Sequence, residues 1–194
     1  MAETTDRERA MANWGKHVGR SRPIARAEME GRIARFRDLP ATPRAFADTA
    51  IPGHTRTLKS VIGLGVTENP DFRPAVPHAE NFHIDYVEAE KGNGAALHAH
   101  ETEEVFLVVS GRWAVRWGDE GEEEAVLEEG DCISVPPGVM RSFENLAEGR
   151  HRLLAIVGGR DPGRVKWAAR VAERGKAAGV GFDDQGNAVH FGAG

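Results

Sequence analysis

Between residues 55 and 158 the chain is cut into short runs rich in β-branched and aromatic residues: TLKSVIGLGV, NFHIDYVEAE, EVFLVVSGRWAVRW, EEAVLEEGDCISVP, RSFENL and HRLLAIVGG. Glycine, proline and acidic residues separate them. Many short strands with turn signals at fairly regular spacing specify an all-β sandwich or barrel. WGDEGEEE reads as a hairpin tip, with Gly118 and Gly121 supplying permissive backbone and the glutamates facing solvent. At 194 residues the chain has the length of about one domain, and its 23 glycines suit a fold with many turns.

The flanks differ from this middle zone. Residues 1–54 form an N-terminal extension with one helix expected near 22–37. Arg22-Pro23 would open it, Ala25, Met29, Ile33 and Phe36 give a narrow apolar stripe, and Pro40 and Pro43 end it. Such a helix covers a barrel edge or a partner subunit rather than carrying chemistry. Residues 55–158 are the β-domain, and residues 159–194 a C-terminal helix and tail. There Asp161 reads as N-cap with Pro162 behind it, and Gly179 as the stop signal. Val165, Trp167, Ala168, Val171 and Ala172 give the apolar side that packs on the sheet exterior, and NAVHFG reads as a weak final strand.

A net charge of −5 argues against a nucleic-acid partner, because polyanion binding rests on Lys and Arg neutralising phosphates. The single cysteine, Cys132, excludes an internal disulfide framework and a cysteine-based zinc cluster. The N-terminal residues lack the apolar core of a signal peptide, and no run approaches the ~20 apolar residues of a membrane span. A soluble, cytoplasmic protein is expected. GLG at 63–65 lacks the third glycine and following helix of a dinucleotide fingerprint.

The stretch HAHETEEVFLVVSG, residues 98–111, carries the chemistry. On an extended strand, residues two apart share a face, so His98 and His100 present both imidazoles to one side. Glu104 has the same parity, and a bend after residue 100 would swing it onto the same centre. Two imidazoles and a carboxylate make a facial set with open positions, suited to Fe(II) and able to hold Mn, Ni, Co or Zn. On spacing alone, an exposed histidine pair near a turn is equally open.

The longer context is more specific. Gly92, five residues, His98, one residue, His100, three residues, Glu104, six residues and Gly111 resemble the first signature of the cupin superfamily. GDCISVPPGVMRSFEN follows, with Gly130, Pro136, Gly138 and Asn145 on the fixed positions of the second. The resemblance implies a cupin-type double-stranded β-helix, a jelly-roll barrel, with helical extensions, a homodimeric assembly, and His98, His100 and Glu104 as metal ligands. It does not specify a reaction, since cupins include dioxygenases, isomerases, epimerases, storage proteins and sensors.

One signature position departs. Where the family supplies a third histidine stands Arg141, which has no lone pair to offer a metal. A three-ligand site could persist with Arg141 binding an anionic substrate. The site could instead have lost its metal, with Arg141 paired to Glu104. Or His83 could complete the set. A metal and a guanidinium close together repel by several kcal/mol unless an anion lies between them, so a metal site here implies an anionic ligand.

Other candidates carry less. Phe106, Trp113, Val115 and Trp117 have barrel-strand spacing and read as core before pocket. Cys132 reads as a buried packing thiol rather than a nucleophile. His17, His54, His78, His151 and His190 share no ligand spacing. Two classes of function follow. One is a mononuclear metal oxidoreductase, a dioxygenase acting on a small acidic or aromatic compound, with Arg141 orienting its carboxylate. The other is a non-catalytic small-molecule-binding cupin. A metal-independent isomerase or epimerase is a third reading, for which Tyr86 is the one tyrosine available as acid.

Overall fold

The computed structural model describes residues 5–191. Two compact units divide the chain, one up to Arg32 and one from Ile33 onward. In the first, helix α1 (Asp6–Ala12) is opened by Thr5, whose hydroxyl accepts from the Glu8 N–H while Glu8 reaches back to the Thr5 N–H. Helix α2 (Arg26–Glu30) is a single turn, with Arg26 and Glu30 paired at 2.7 Å.

The helix expected near 22–37 is therefore cut to Arg26–Glu30. Phe36 leaves the stripe to begin a separate 3-10 turn, Phe36–Asp38. Its ring meets the edge of Tyr86 at 5.0 Å and lies under the cations of Lys59 and Arg152, at 4.6 and 4.1 Å. Those contacts outcompete a weak local preference for helix.

The second unit begins its core before residue 54. Thr42 exchanges backbone hydrogen bonds with Leu58, and Ala45 is fully buried. The strands are β1 (Thr57–Ile62), β2 (Phe82–Ala89), β3 (Gly94–Ala99), β4 (Glu104–Val108), β5 (Trp113–Trp117) and β6 (Glu123–Leu127). β7 (Cys132–Val135), β8 (Arg141–Asn145), β9 (His151–Gly158) and β10 (Lys166–Trp167) follow. They form two five-stranded sheets, ordered β1-β2-β9-β4-β7 and β10-β3-β8-β5-β6. The pairings within both sheets are antiparallel. This is the cupin-type double-stranded β-helix.

Alternation sets what faces inward. Along β4 the buried residues are Glu104, Phe106 and Val108, and along β8 they are Arg141, Phe143 and Asn145. Phe106, Trp113 and Val115 are fully buried and pack with Phe143, so they are core, while Trp117 is half-buried. β3 is buried at every position. Its outer side is covered by Ile51, Ala168 and Val171, which explains a strand sequence without polar alternation.

The C-terminal helix, α3 (Ala169–Ala177), starts later than expected, and its N-cap is Ala168 rather than Asp161. The Asp161 carboxylate instead accepts from the Gly163 N–H at 3.1 Å. Lys166 and Trp167 are extended because they pair with Ala99 and His98 on the free edge of β3. Gly179 follows the helix at φ 73°, and β11 (Val180–Phe182) pairs with β12 (Ala188–His190), where the weak final strand was expected. Cys132 is not a buried thiol: it is exposed on edge strand β7. Among the described residues no helix is long and apolar enough to cross a membrane.

Candidate metal centre

His98 ends the inward face of β3, His100 lies just beyond it, and Glu104 opens β4. One donor atom from each lies within 4.8 Å of the others, and all three side chains are buried. Glu104 Oε2 is 3.4 Å from His100 Nε2 and 3.9 Å from His98 Nε2. The bend anticipated after residue 100 is fastened by Gly138, whose N–H donates to His100 O at 2.8 Å from a turn at φ 76° that favours glycine.

Protonation suits the arrangement. His98 Nδ1–H donates to Ala96 O at 2.7 Å, which leaves Nε2 with its lone pair toward the centre. Burial, reinforced by His100, pushes His98 down to about 3, so this imidazole is neutral. For Glu104, burial alone would raise the carboxyl, but His100, His98 and Arg141 outweigh it and bring it down to about 2. His100 Nδ1 is buried with no partner among the described residues. A neutral imidazole, a second imidazole and an ionised carboxylate converging in a closed space fit a divalent transition ion.

Arg141 is fully buried beside them. Its Nε donates to Glu104 Oε2 at 2.9 Å and Nη1 to Val139 O at 2.8 Å, while Nη2 has no partner among the described residues. Burial pushes the guanidinium down from its ordinary value, and Glu104 opposes that shift. The pairing across β3 and β8 sets His98 opposite Arg141, so the position that breaks the signature stands directly against the donors.

His83 does not join the set. Its Nδ1 accepts from the Gly65 N–H at 3.0 Å and its Nε2 faces Arg160 O at 3.3 Å, which occupies both ring nitrogens with backbone. The GLG stretch is thus a cradle for this ring: a side chain on Gly63 would come within 2.1 Å of His83 Nδ1. Tyr86 points to the other side of β2, onto Phe36.

The cavity at the donors is about 40 Å³. That is room for one ion and a water or two, since a water needs about 10–15 Å³ on this measure. Its wall includes Arg56 and Asp85, which the sequence did not single out, and Trp167, which was expected on the apolar side of the C-terminal helix. Arg56 is a buried cation paired with Asp48 at 2.8 Å. Asp85 is a carboxyl whose Oδ1 has no partner among the described residues, and burial pushes it up to about 7. Trp167 tilts over His98 at 5.5 Å between ring centroids and donates its indole N–H to Glu68 Oε1 at 2.8 Å. Asp85 had a sequence signal: with His83 it breaks the apolar face of NFHIDYVEAE. Arg141 is not among the residues lining this cavity, and neither are Phe106, Trp113, Val115 and Trp117.

Comparison with known proteins agrees with the geometry. The family profile described as a cupin domain matches residues 85–157. No curated protein matches this sequence. Among solved structures, the polyketide cyclase RemF from Streptomyces resistomycificus is similar at 17% identity over 69% of this chain and 82% of that one, with TM-score 0.52. A sugar phosphate isomerase of the cupin superfamily from Silicibacter pomeroyi is 19% identical over 67% and 76%, with TM-score 0.49. An RmlC-like cupin from Shewanella frigidimarina is 17% identical over 68% and 91%, with TM-score 0.47. At these identities the likeness concerns the fold alone. Both signatures, the strand order and the matched profile place a cupin domain at residues 85–157 of this chain.

Proposed function

We propose that this chain is a metal-binding cupin in which His98, His100 and Glu104 hold one divalent transition metal, with Fe(II) first and Mn, Ni, Co or Zn as alternatives. Its activity on this reading is that of an oxidoreductase of the dioxygenase class acting on a small acidic or aromatic compound. The observation that carries the reading is the convergence of the three donors within 4.8 Å, with His98 Nε2 left bare by the bond to Ala96 O. A bound ion of this kind supplies Lewis acidity, open coordination positions and, for iron, one-electron redox chemistry.

The chain's own residues supply the rest. Ala96 O fixes the tautomer of His98, and Arg141 fixes the Glu104 carboxylate; lying behind the cavity wall, its guanidinium acts on an anionic ligand only through that carboxylate. Asp85 holds a proton up to about neutral pH and is placed to give or take one at the cavity. The homodimer implied by the resemblance and the cytoplasmic setting expected from the N-terminal sequence belong to the same reading; an exposed single cysteine is compatible with a reducing compartment.

The test is elemental analysis of untagged protein purified without chelator or metal column, beside His98→Ala. About one equivalent of transition metal in wild type and little in the variant supports the centre and justifies oxygen-uptake assays with acidic aromatic compounds. Wild type without metal after anaerobic reconstitution with Fe(II) sinks the oxidoreductase reading. The Glu104–Arg141 pair favours a second reading, a metal-free cupin that binds a small molecule without turnover. Such a protein gains thermal stability with its ligand and returns it unchanged.

A further inference from the structure

The cavity at the donors, about 40 Å³, is too small for a ring. A dry cavity of about 150 Å³ is the scale that accommodates benzene. A second, larger pocket of about 280 Å³ lies outside the barrel, between α3, β11 and the turn Ala47–Ala50. Its wall is apolar, built from Ile51, Val171, Val180 and Phe182 among others. The two cavities share a single lining residue, Trp167.

The partition between them has a polar part. Asp48 lines the outer pocket and Arg56 the inner cavity, and the two are joined at 2.8 Å. Asp48 Oδ2 accepts from Arg56 and from the Ala96 N–H, whereas Oδ1 is buried with no partner among the described residues. An unpaired buried carboxylate oxygen on an apolar wall is an acceptor waiting for a donor. Apolar walls with one fixed polar group are the make-up of small-molecule sites.

We propose that this outer pocket binds a compact phenol-class ligand, its ring among Ile51, Val171 and Val180 and its hydroxyl donating to Asp48, and that Trp167 is the wall through which the ring communicates with the metal centre. Volume excludes the ring from the inner cavity as it stands. The orphaned Asp48 oxygen selects a hydroxyl over a bare hydrocarbon. Beside Asp48 a carboxylate would set two anions together, and the lysine in the lining, Lys176, is an exposed residue of α3. Trp167 is held to Glu68 by one hydrogen bond and touches the ring of His98, so its displacement links pocket and donors. As the berth of a substrate ring the pocket rests on the metal-centre reading; as a phenol site it does not.

Phenol is the probe, titrated calorimetrically into full-length protein in metal-loaded and chelator-treated forms, with tryptophan emission followed in parallel. Saturable one-site binding is expected in both forms, with toluene at least tenfold weaker. Ala172→Phe, an exposed position at the pocket wall, should abolish binding, and Ala172→Leu should weaken it. The emission change should vanish in Trp167→Phe while the heat of binding remains. Absence of saturable binding, binding undiminished in both Ala172 variants, toluene as tight as phenol, or an emission change that survives Trp167→Phe would overturn the proposal. Phenol binding to a protein that never takes up metal would leave the pocket standing and remove the oxidoreductase reading. Metal uptake without phenol binding would do the reverse.

Discussion

Arg141 Nε and Glu104 Oε2 lie 2.9 Å apart, on the same carboxylate oxygen that faces the imidazoles of His98 and His100. The guanidinium thus shares the one anion with the two donors, and it stands where a fourth ligand would in the cupin signature. The carboxylate is the buffer between a permanent cation and any ion at the centre. Removing one member of a buried pair leaves the other charge uncompensated, at a cost of about 3–5 kcal/mol. Arg141→Ala should therefore lose about that much stability in chelator-treated protein. With the metal added, most of the loss should disappear, because the ion takes over the compensation of Glu104. Urea titrations with and without Fe(II) or Zn(II) check this. An equal loss under both conditions would mean that no ion sits beside Glu104.

Arg141→His tests the same relationship from the other side. It replaces a cation by a donor on the strand directly opposite His98. Metal affinity should rise by on the order of tenfold or more, equivalent to at least ~1.4 kcal/mol. Competition against a chromophoric chelator reads it directly. Unchanged affinity would show that the new imidazole does not reach the centre.

Asp85 gives a pH signature. Its folded-state value is raised to about 7 by burial, against 3.8 for the ordinary side chain. From about pH 4 to pH 7 the folded protein keeps a proton that the unfolded chain has released, so the stability contributed by this group falls as pH rises. Glu68, also raised to about 7 by burial, has the same sign. His98 acts in the opposite direction: its value is pushed down to about 3, so the unfolded chain holds the extra proton and stability rises with pH up to about 6.5. The difference between Asp85→Asn and wild type isolates the first effect. The variant should gain stability relative to wild type steadily from pH 4 to pH 7 and level off above. A flat difference would show that Asp85 ionises in the folded protein as it does in water.

The β-domain and the three donors were legible because both rest on short-range patterns. Strand parity places His98, His100 and Glu104 on one side, and the signature glycines fix the turns that bring them together. What was not legible depends on contacts distant in sequence. Nothing near Asp161 reveals that Lys166 and Trp167 will be drawn out to pair with the edge of β3 and delay the helix to Ala169. Phe36 continues a helical stripe on paper, yet it is claimed by Tyr86, fifty residues on. Cys132 sits in a strand whose outward face cannot be chosen until the sheet order makes β7 an edge. Trp167 reaches the cavity only through folding of the C-terminal flank against the barrel, and Arg56 is held there by Asp48 from the N-terminal one.

Asn145 separates the signature's structural half from its chemical half. Its side chain is fully buried, yet it lies on the inward face of β8 at the far end from Arg141. Nδ2 donates to Ala89 O at 2.9 Å and to Gly149 O at 3.0 Å, and Oδ1 accepts from the Ala147 N–H at 2.9 Å. One amide thereby ties the end of β2 to the turn between β8 and β9. Asn145→Ala would orphan three backbone groups, two of them carbonyls and one a donor. Each unsatisfied buried group costs about 1–3 kcal/mol, with water entering the vacated space recovering part of it, so a total loss of about 3 kcal/mol is expected. Metal content should stay as in wild type, because none of these contacts reaches His98, His100 or Glu104. The check is a urea midpoint and an elemental analysis on the same preparation. A variant with normal stability but no metal would assign Asn145 to the centre, and a loss of both would mean that this turn and the donor set form one cooperative unit.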